Sequence, residues 1–242
     1  MDSSDAFEAA RADHLARGQA LSRTIWPALR IIGGALLVAL LVRSFVAQPF
    51  AIPSGSMAPT LEAGDFVFVD KKAYGWVPAS FPMTAPVSRL DDDGKRMFAS
   101  PIRRGEVIAF MGPDGRDYVK RMVANAGETV ELRGGTLILN GVSVPCVPEA
   151  PGLCRETLAG GRSHLVRGHA AGPYADFGPV TVPDAHVFVL GDNRGHSADS
   201  RVSVADGGLG FVPDTHVIGL AARIFFAWDG SIRWNRIGAA IV

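Results

Sequence analysis

The chain has 242 residues, with 24 Lys+Arg balanced by 24 Asp+Glu for a formal net charge of zero. That balance, and the lack of any long basic run, argues against a nucleic-acid partner. Hydrophobic residues make up 48%, which is high for a wholly soluble chain and directs attention to a membrane segment.

Residues 1–24 mix acids, arginines and alanines with little apolar periodicity and read as a short cytosolic tail. The stretch 25–42, IWPALRIIGGALLVALLV, is apolar or small except for Arg30. We read 25–47 as a transmembrane signal-anchor helix, with Trp26 at the interface and the Arg30 stem snorkelling to it. The unbroken run 31–42 is short enough that a buried core helix is the alternative. Cleavage after Ala47 is disfavoured by the bulky Phe45 two positions earlier. Arg11, Arg17, Arg23 and Arg30 place the N-terminus in the cytosol, although Arg43 argues mildly the other way. Residues 48–242 then form an extracytoplasmic β-rich domain, with loop-rich insertions near 73–100 and 130–185.

Directly after the anchor comes PSGSMAPTL, 53–61. Pro53 and Pro59 fix φ, and Gly55 admits a backbone shape that other residues resist. The stretch reads as a rigid elbow presenting a hydroxyl, with an ordinary linker as the alternative. FVFVDKK follows as a strand. From 73 to 100 the chain is rich in proline and turn residues, and Tyr74, Trp76 and Phe81 would cover the core or touch lipid.

RRGEVIAFMGPDGRDYVKRMVAN predicts a β-hairpin turning at GPDG. TVEL, TLILN and GVSV continue the pattern, with Asn140-Gly141 as a hairpin turn. The stretch 145–180 reads as loop-rich, with many glycines. Within it Cys146 and Cys154 lie eight residues apart. Their spacing to His164 and His169 fits no zinc site, and two cysteines closing a short loop outside the cytosol read as a disulfide, with two free thiols as the alternative. HVFVL, 186–190, is a short strand leading into the polar GDNRGHSADSR. VIGLAARIFFAW, 217–228, is a long strand, with a helix left open by periodicity alone. The fold class is mainly β.

A serine needs a base before it attacks. His186, His196 and His216 are candidates that nothing singles out. Lys120 stands between apolar neighbours in DYVKRMV, where strand alternation groups it with Tyr118 and Met122. An inward-facing Lys120 would be desolvated and its pKa lowered, with Arg121 adding positive charge. A solvent-facing edge lysine is the alternative.

Read together and in order, PSGSMAPTL, Gly64-Asp65, RRGEVIAF with DYVKRM, and GDNRGHSADSR behind a signal-anchor closely resemble the bacterial type I signal peptidases. The resemblance covers about residues 43–228. It implies a signal-peptidase β-fold with a smaller loop-rich β-ribbon lobe, and a Ser/Lys dyad of Ser56 as nucleophile and Lys120 as general base. It implies Ser54 beside the Ser56 N–H in an oxyanion hole, Ser197 orienting the lysine, and Asp199 with Arg201 as a supporting ion pair. Phe50, Ile52, Pro53, Met57, Tyr118 and Val119 would bind substrate, selecting small residues at −1 and −3. The implied partners are signal-peptide-bearing preproteins, the lipid bilayer and the protein-export machinery, at the bacterial cytoplasmic membrane with the catalytic domain on its outer face. No cofactor and no metal are expected. Gly195 and His196 depart from the usual pattern, as do the extra residues VSVADGGL after Arg201.

Overall fold

The computed structural model describes residues 25–41, 43, 46–75, 99–160, 162–169 and 172–242. The expected tail at 1–24 and most of the 73–100 excursion, Trp76 and Phe81 included, lie outside the described residues. The chain divides into two units, residues 1–43 and 44–242. In the first, helix α1 covers residues 25–41. The Arg30 guanidinium stands 5.8 Å from the Trp26 ring centroid, and Ile31, Leu36, Leu37 and Val38 point outward. Among the described residues no helix is long and apolar enough to cross a membrane.

The second unit is built from strands and single 3-10 turns. In chain order, β1 (Ala47–Ala51) pairs with β2 (Asp65–Asp70), and β3 (Val107–Met111) forms a hairpin with β4 (Asp117–Asn125). β5 (Thr129–Arg133), β6 (Thr136–Leu139) and β7 (Val142–Ser143) make a meander turning at Asn140-Gly141. Asn140 and Gly141 both take positive φ, as a tight hairpin turn demands. β8 (Cys146–Ala150), β9 (Leu153–Thr157) and β10 (Ser163–Arg167) form a second small sheet, and β11 (Phe177–Thr181) returns to pair with β5. β12 (His186–Leu190), β13 (Val212–Pro213) and β14 (Val217–Ala227) complete the main sheet, whose order is β1-β2-β14-β3-β4-β12-β13.

Three of the expected elements need correction or refinement. The stretch 145–180, expected to be loop-rich, carries four strands. Its inward positions on β9 and β10 include Glu156 and His164, and β8 is mostly exposed, so no apolar alternation marks them. The 217–228 segment is the strand β14, hydrogen-bonded to β2 on one side and β3 on the other. Gly219 permits this, because a Cβ there would stand 2.4 Å from Asp70 O. The VSVADGGL stretch folds as one 3-10 turn, Val204–Asp206, capped by the Ser203 side chain and closed by Gly207 at φ +81°.

Both faces of the sheet centre are buried. Alternate residues of β3 serve separate cores: Val107 and Ala109 join Phe50, Val67, Val69, Ala221 and Ile224, while Ile108 and Phe110 join Met122, Val189, Val212 and Val217. A third core, around Leu132, Leu137, Phe188 and Leu190, seats the small β5–β7 sheet on β4 and β12. Gly64 and Asp65 fix the end of β2. A Cβ on Gly64 would meet Trp228 O at 1.9 Å, and the buried Asp65 carboxylate accepts from Arg236 at 2.5 Å and Arg233 at 3.1 Å.

Candidate active site

β1 delivers the chain into the elbow. Ile52 and the Gly64-Asp65 corner exchange backbone bonds of 2.8 and 2.9 Å. The chain then makes one 3-10 turn, Gly55–Met57. Met57 and Leu61 are buried in the core on either side of the cis Ala58–Pro59 bond, and Leu61 N–H donates to Met57 O at 2.9 Å. These contacts pin the backbone and leave Ser56 half-buried at the surface of the turn.

Lys120, in β4, is only 3% exposed. Its Nζ lies 2.5 Å from Ser56 Oγ. Burial strips water from the ammonium and lowers the lysine pKa from 10.5 to about 8; Asp199 and Asp192 oppose that shift and Arg201 adds to it. The contribution expected from Arg121 is absent. Arg121 is itself buried and tied to the Asp192 carboxylate by bonds of 2.8 and 2.7 Å. Burial works against ionisation of Asp192, but Arg121 and a 2.5 Å bond from Thr60 Oγ1 outweigh it and hold the carboxyl below its ordinary range.

The Ser54 hydroxyl is exposed and donates to Ser56 Oγ at 3.3 Å. No acceptor among the described residues engages the Ser56 backbone N–H. The polar stretch 191–201 wraps behind this pair. Asn193 N–H donates to Ser56 O at 3.1 Å, and Asn193 Nδ2 donates to Gly55 O at 3.0 Å. Asp199 accepts from Arg201 at 2.8 and 2.9 Å and from Gly191 N–H at 3.0 Å. Ser197 Oγ is buried and makes no hydrogen bond, neither to Lys120 nor to another described group.

His196 is exposed and His186 and His216 are half-buried. The side-chain partners of Ser56 Oγ are Lys120 and Ser54. Of the residues expected to bind substrate, Phe50, Ile52 and Met57 are core side chains, 6%, 6% and 1% exposed, with Val119 packed against them. Pro53 is exposed, and Tyr118 stacks on Phe110 and donates to Asp114 at 3.0 Å. β12 pairs with β4 only from Arg121 onward. Residues 117–120 therefore have no strand neighbour on that side among the described residues, and this open edge runs up to Lys120.

Cys146 and Cys154 are disulfide-bonded, their Cα atoms 5.5 Å apart. Among the described residues no group of three or more His, Cys, Asp or Glu side chains is placed to hold a metal ion. Sequence reasoning gave Arg121 a charge effect on Lys120 in place of its ion pair with Asp192, and it missed Thr60, Gly191, Asp192 and Asn193. Their signal was adjacency: each lies within a few residues of Ser56, Lys120 or Ser197.

A family model described as signal peptidase, peptidase S26, matches residues 25–228. A signal peptidase I from Pseudomonas aeruginosa is 36% identical over 212 residues, covering 80% of this chain and 69% of that one. A signal peptidase I from Bacillus amyloliquefaciens is 30% identical over 206 residues, covering 85% of this chain and 87% of that one. A solved signal peptidase I structure from Enterococcus faecalis V583 is 30% identical, covers 50% of this chain and 97% of that chain, and superposes with a TM-score of 0.33.

Proposed function

The chain belongs to the signal peptidase family, peptidase S26, and from that premise we propose that it is a membrane-bound serine endopeptidase that removes N-terminal signal peptides from exported preproteins, with Ser56 as nucleophile and Lys120 as general base. The observation that carries this reading is the 2.5 Å approach of Lys120 Nζ to Ser56 Oγ at a lysine only 3% exposed. A neutral amine at that distance accepts the hydroxyl proton, and burial enlarges the neutral fraction by lowering the lysine pKa to about 8.

In this reading the preprotein lies as an added strand along the open 117–120 edge of β4, between that edge and Pro53. Ser56 Oγ attacks the carbonyl carbon of the −1 residue, and its proton passes to Lys120 Nζ. The oxyanion is held by the Ser56 N–H and the Ser54 hydroxyl. The C–N bond breaks as Lys120 returns the proton to the leaving amine. Water, deprotonated by the same lysine, then hydrolyses the Ser56 ester and frees the signal peptide. Ser197 makes no hydrogen bond to Lys120 in this structure; its buried, unengaged hydroxyl is the group assigned to orient the amine once substrate is bound, and the Asp199–Arg201 pair holds the loop behind it. Phe50, Ile52, Met57 and Val119 back the −1 and −3 subsites. Because they are packed core side chains, the subsites are shallow and reject large residues by steric exclusion.

The apolar side chains of α1 stand outward, which water does not tolerate over so long a face. We take α1, residues 25–41, as the anchor in the bacterial cytoplasmic membrane, with 1–24 cytosolic and the β domain outside; the anchor expected to run to residue 47 ends sooner, because Ala47 already pairs with Asp70 as the first residue of β1. The test is cleavage, in detergent, of a preprotein carrying an Ala-x-Ala site. The full-length chain is expected to cut after the second Ala, and Ser56→Ala and Lys120→Ala to lose that activity while retaining their fold. Robust cleavage by Lys120→Ala overturns the dyad.

A further inference from the structure

The loop behind Ser56 is held by strands that take no part in the chemistry. β9 turns Glu156 inward, 1% exposed, opposite Cys146 of β8 and His164 of β10. Glu156 Oε1 accepts from Arg194 Nη2 at 2.6 Å. Arg194, 2% exposed, continues inward and donates from Nε to Gly191 O at 3.2 Å. The Arg194 carbonyl accepts from Arg201 Nη2 at 2.8 Å. Arg201 in turn grips Asp199, which accepts the Gly191 N–H. The ring thus closes on Gly191 from both sides: Arg194 fixes its carbonyl and Asp199 its N–H.

Gly191 is also where Ser56 O and Ser197 crowd in. A Cβ there would lie 2.5 Å from Ser56 O and 2.2 Å from Ser197 Oγ. β10 adds a backbone tie, Arg167 N–H to Asp192 O at 2.8 Å, and His164 Nε2 lies 3.4 Å from Glu156 and 3.8 Å from Asp192. A buried Glu–Arg pair adds little net stability, because desolvation of both ions offsets their attraction. Its geometry is specific, since a bent or shortened carboxylate no longer meets the guanidinium that reaches Gly191.

We propose that Glu156 is a positioning residue of the peptidase reaction: acting through Arg194, it sets the Gly191 peptide, and through that the seating of Asn193 and Ser197 against Ser56. This rests on the Ser56/Lys120 reading. It gives the disulfide-clipped β8–β10 sheet a role as the backing of the reaction centre.

The test measures kcat, KM and melting temperature of the full chain in detergent on the same preprotein. It compares wild type, Glu156→Asp, Glu156→Gln, and the double variant Glu156→Gln/Arg194→Met. Glu156→Gln is expected to lose about 10–100-fold in kcat, the scale of a small misplacement of reacting groups, with KM within about twofold. Glu156→Asp keeps the charge but withdraws it by one methylene. It is expected to fold like wild type and still lose about 10-fold in kcat. The double variant removes the stranded guanidinium, so it should melt above Glu156→Gln while its kcat stays low. Recovery of kcat together with melting temperature in the double variant, or wild-type kcat in Glu156→Asp, overturns the inference and leaves the pair merely structural. If Glu156→Gln does not fold, Glu156→Asp alone decides by the same criterion. An inactive wild type, or one indifferent to Ser56→Ala, overturns the dyad reading itself, and with it this inference. Activity that depends on Ser56 and ignores Glu156 overturns this inference alone.

Discussion

Gly191 faces the carbonyl of Ser56 so closely that a Cβ at residue 191 would stand 2.5 Å from that oxygen. The neighbour is backbone and cannot rotate away. Gly191→Ala is therefore expected to push the elbow off Lys120 and lower kcat by about 100-fold or more. Steady-state cleavage with a melting curve checks this, and wild-type kcat in a stably folded Gly191→Ala enzyme would refute it.

The lysine sets a pH dependence. Only neutral Lys120 accepts the Ser56 proton, so kcat/KM should rise with pH on an acid limb centred at about 8. A profile flat from pH 6 to 10 counts against a lysine base.

The same shift has a stability consequence. The folded-state pKa is depressed, so between about 8 and 10.5 the unfolded chain binds more protons and stability rises with pH. Below about 8 the full burial cost is present, on the order of 3 kcal/mol for this shift. Lys120→Met should abolish cleavage yet melt at or above the wild-type temperature at neutral pH. A clear loss of stability would show that the ammonium is better solvated than its burial implies.

Ser54 is 3.3 Å from Ser56 through its hydroxyl and does not cap the 3-10 turn that follows it. Its removal should therefore spare the fold. Ser54→Ala is expected to lower kcat by about 10²-fold with KM unchanged, as for one oxyanion donor, and Ser54→Thr to restore most of it. Unchanged kcat in Ser54→Ala would remove the residue from the oxyanion hole.

The Cys146–Cys154 disulfide closes a loop with a sequence separation of eight. Replacing both cysteines with serine should cost about 2–3 kcal/mol by loop-closure entropy, lowering the melting temperature by roughly 4–12 °C. Thermal melts with and without reductant check this. Identical melts would mean that β8 and β9 are held by pairing alone.

Local chemistry made much of this protein legible from its sequence. GPDG and Asn140-Gly141 between alternating runs dictate hairpins, because only certain residues adopt those turns. The prolines around Ser56, and a lysine in an apolar strand, mark a constrained hydroxyl and a desolvated amine. The Asp199–Arg201 pair was named only through the family resemblance, not from local chemistry. Tertiary structure decided what lies between segments. Arg121 meets Asp192 across 71 residues and Glu156 meets Arg194 across 38, and nothing local says which buried charges will pair. β8 to β10 stayed hidden because a glutamate, a histidine and the disulfide stand among their inward positions, and β11 because Gly178-Pro179 separates its two packed residues, Phe177 and Val180, so no apolar period announces them. The sequence by itself determined a β domain with a serine elbow and a lysine strand. Only the fold decided that β4 brings Lys120 within 2.5 Å of Ser56 and buries it, because burial depends on what β12, the elbow and the 191–201 loop together exclude from water.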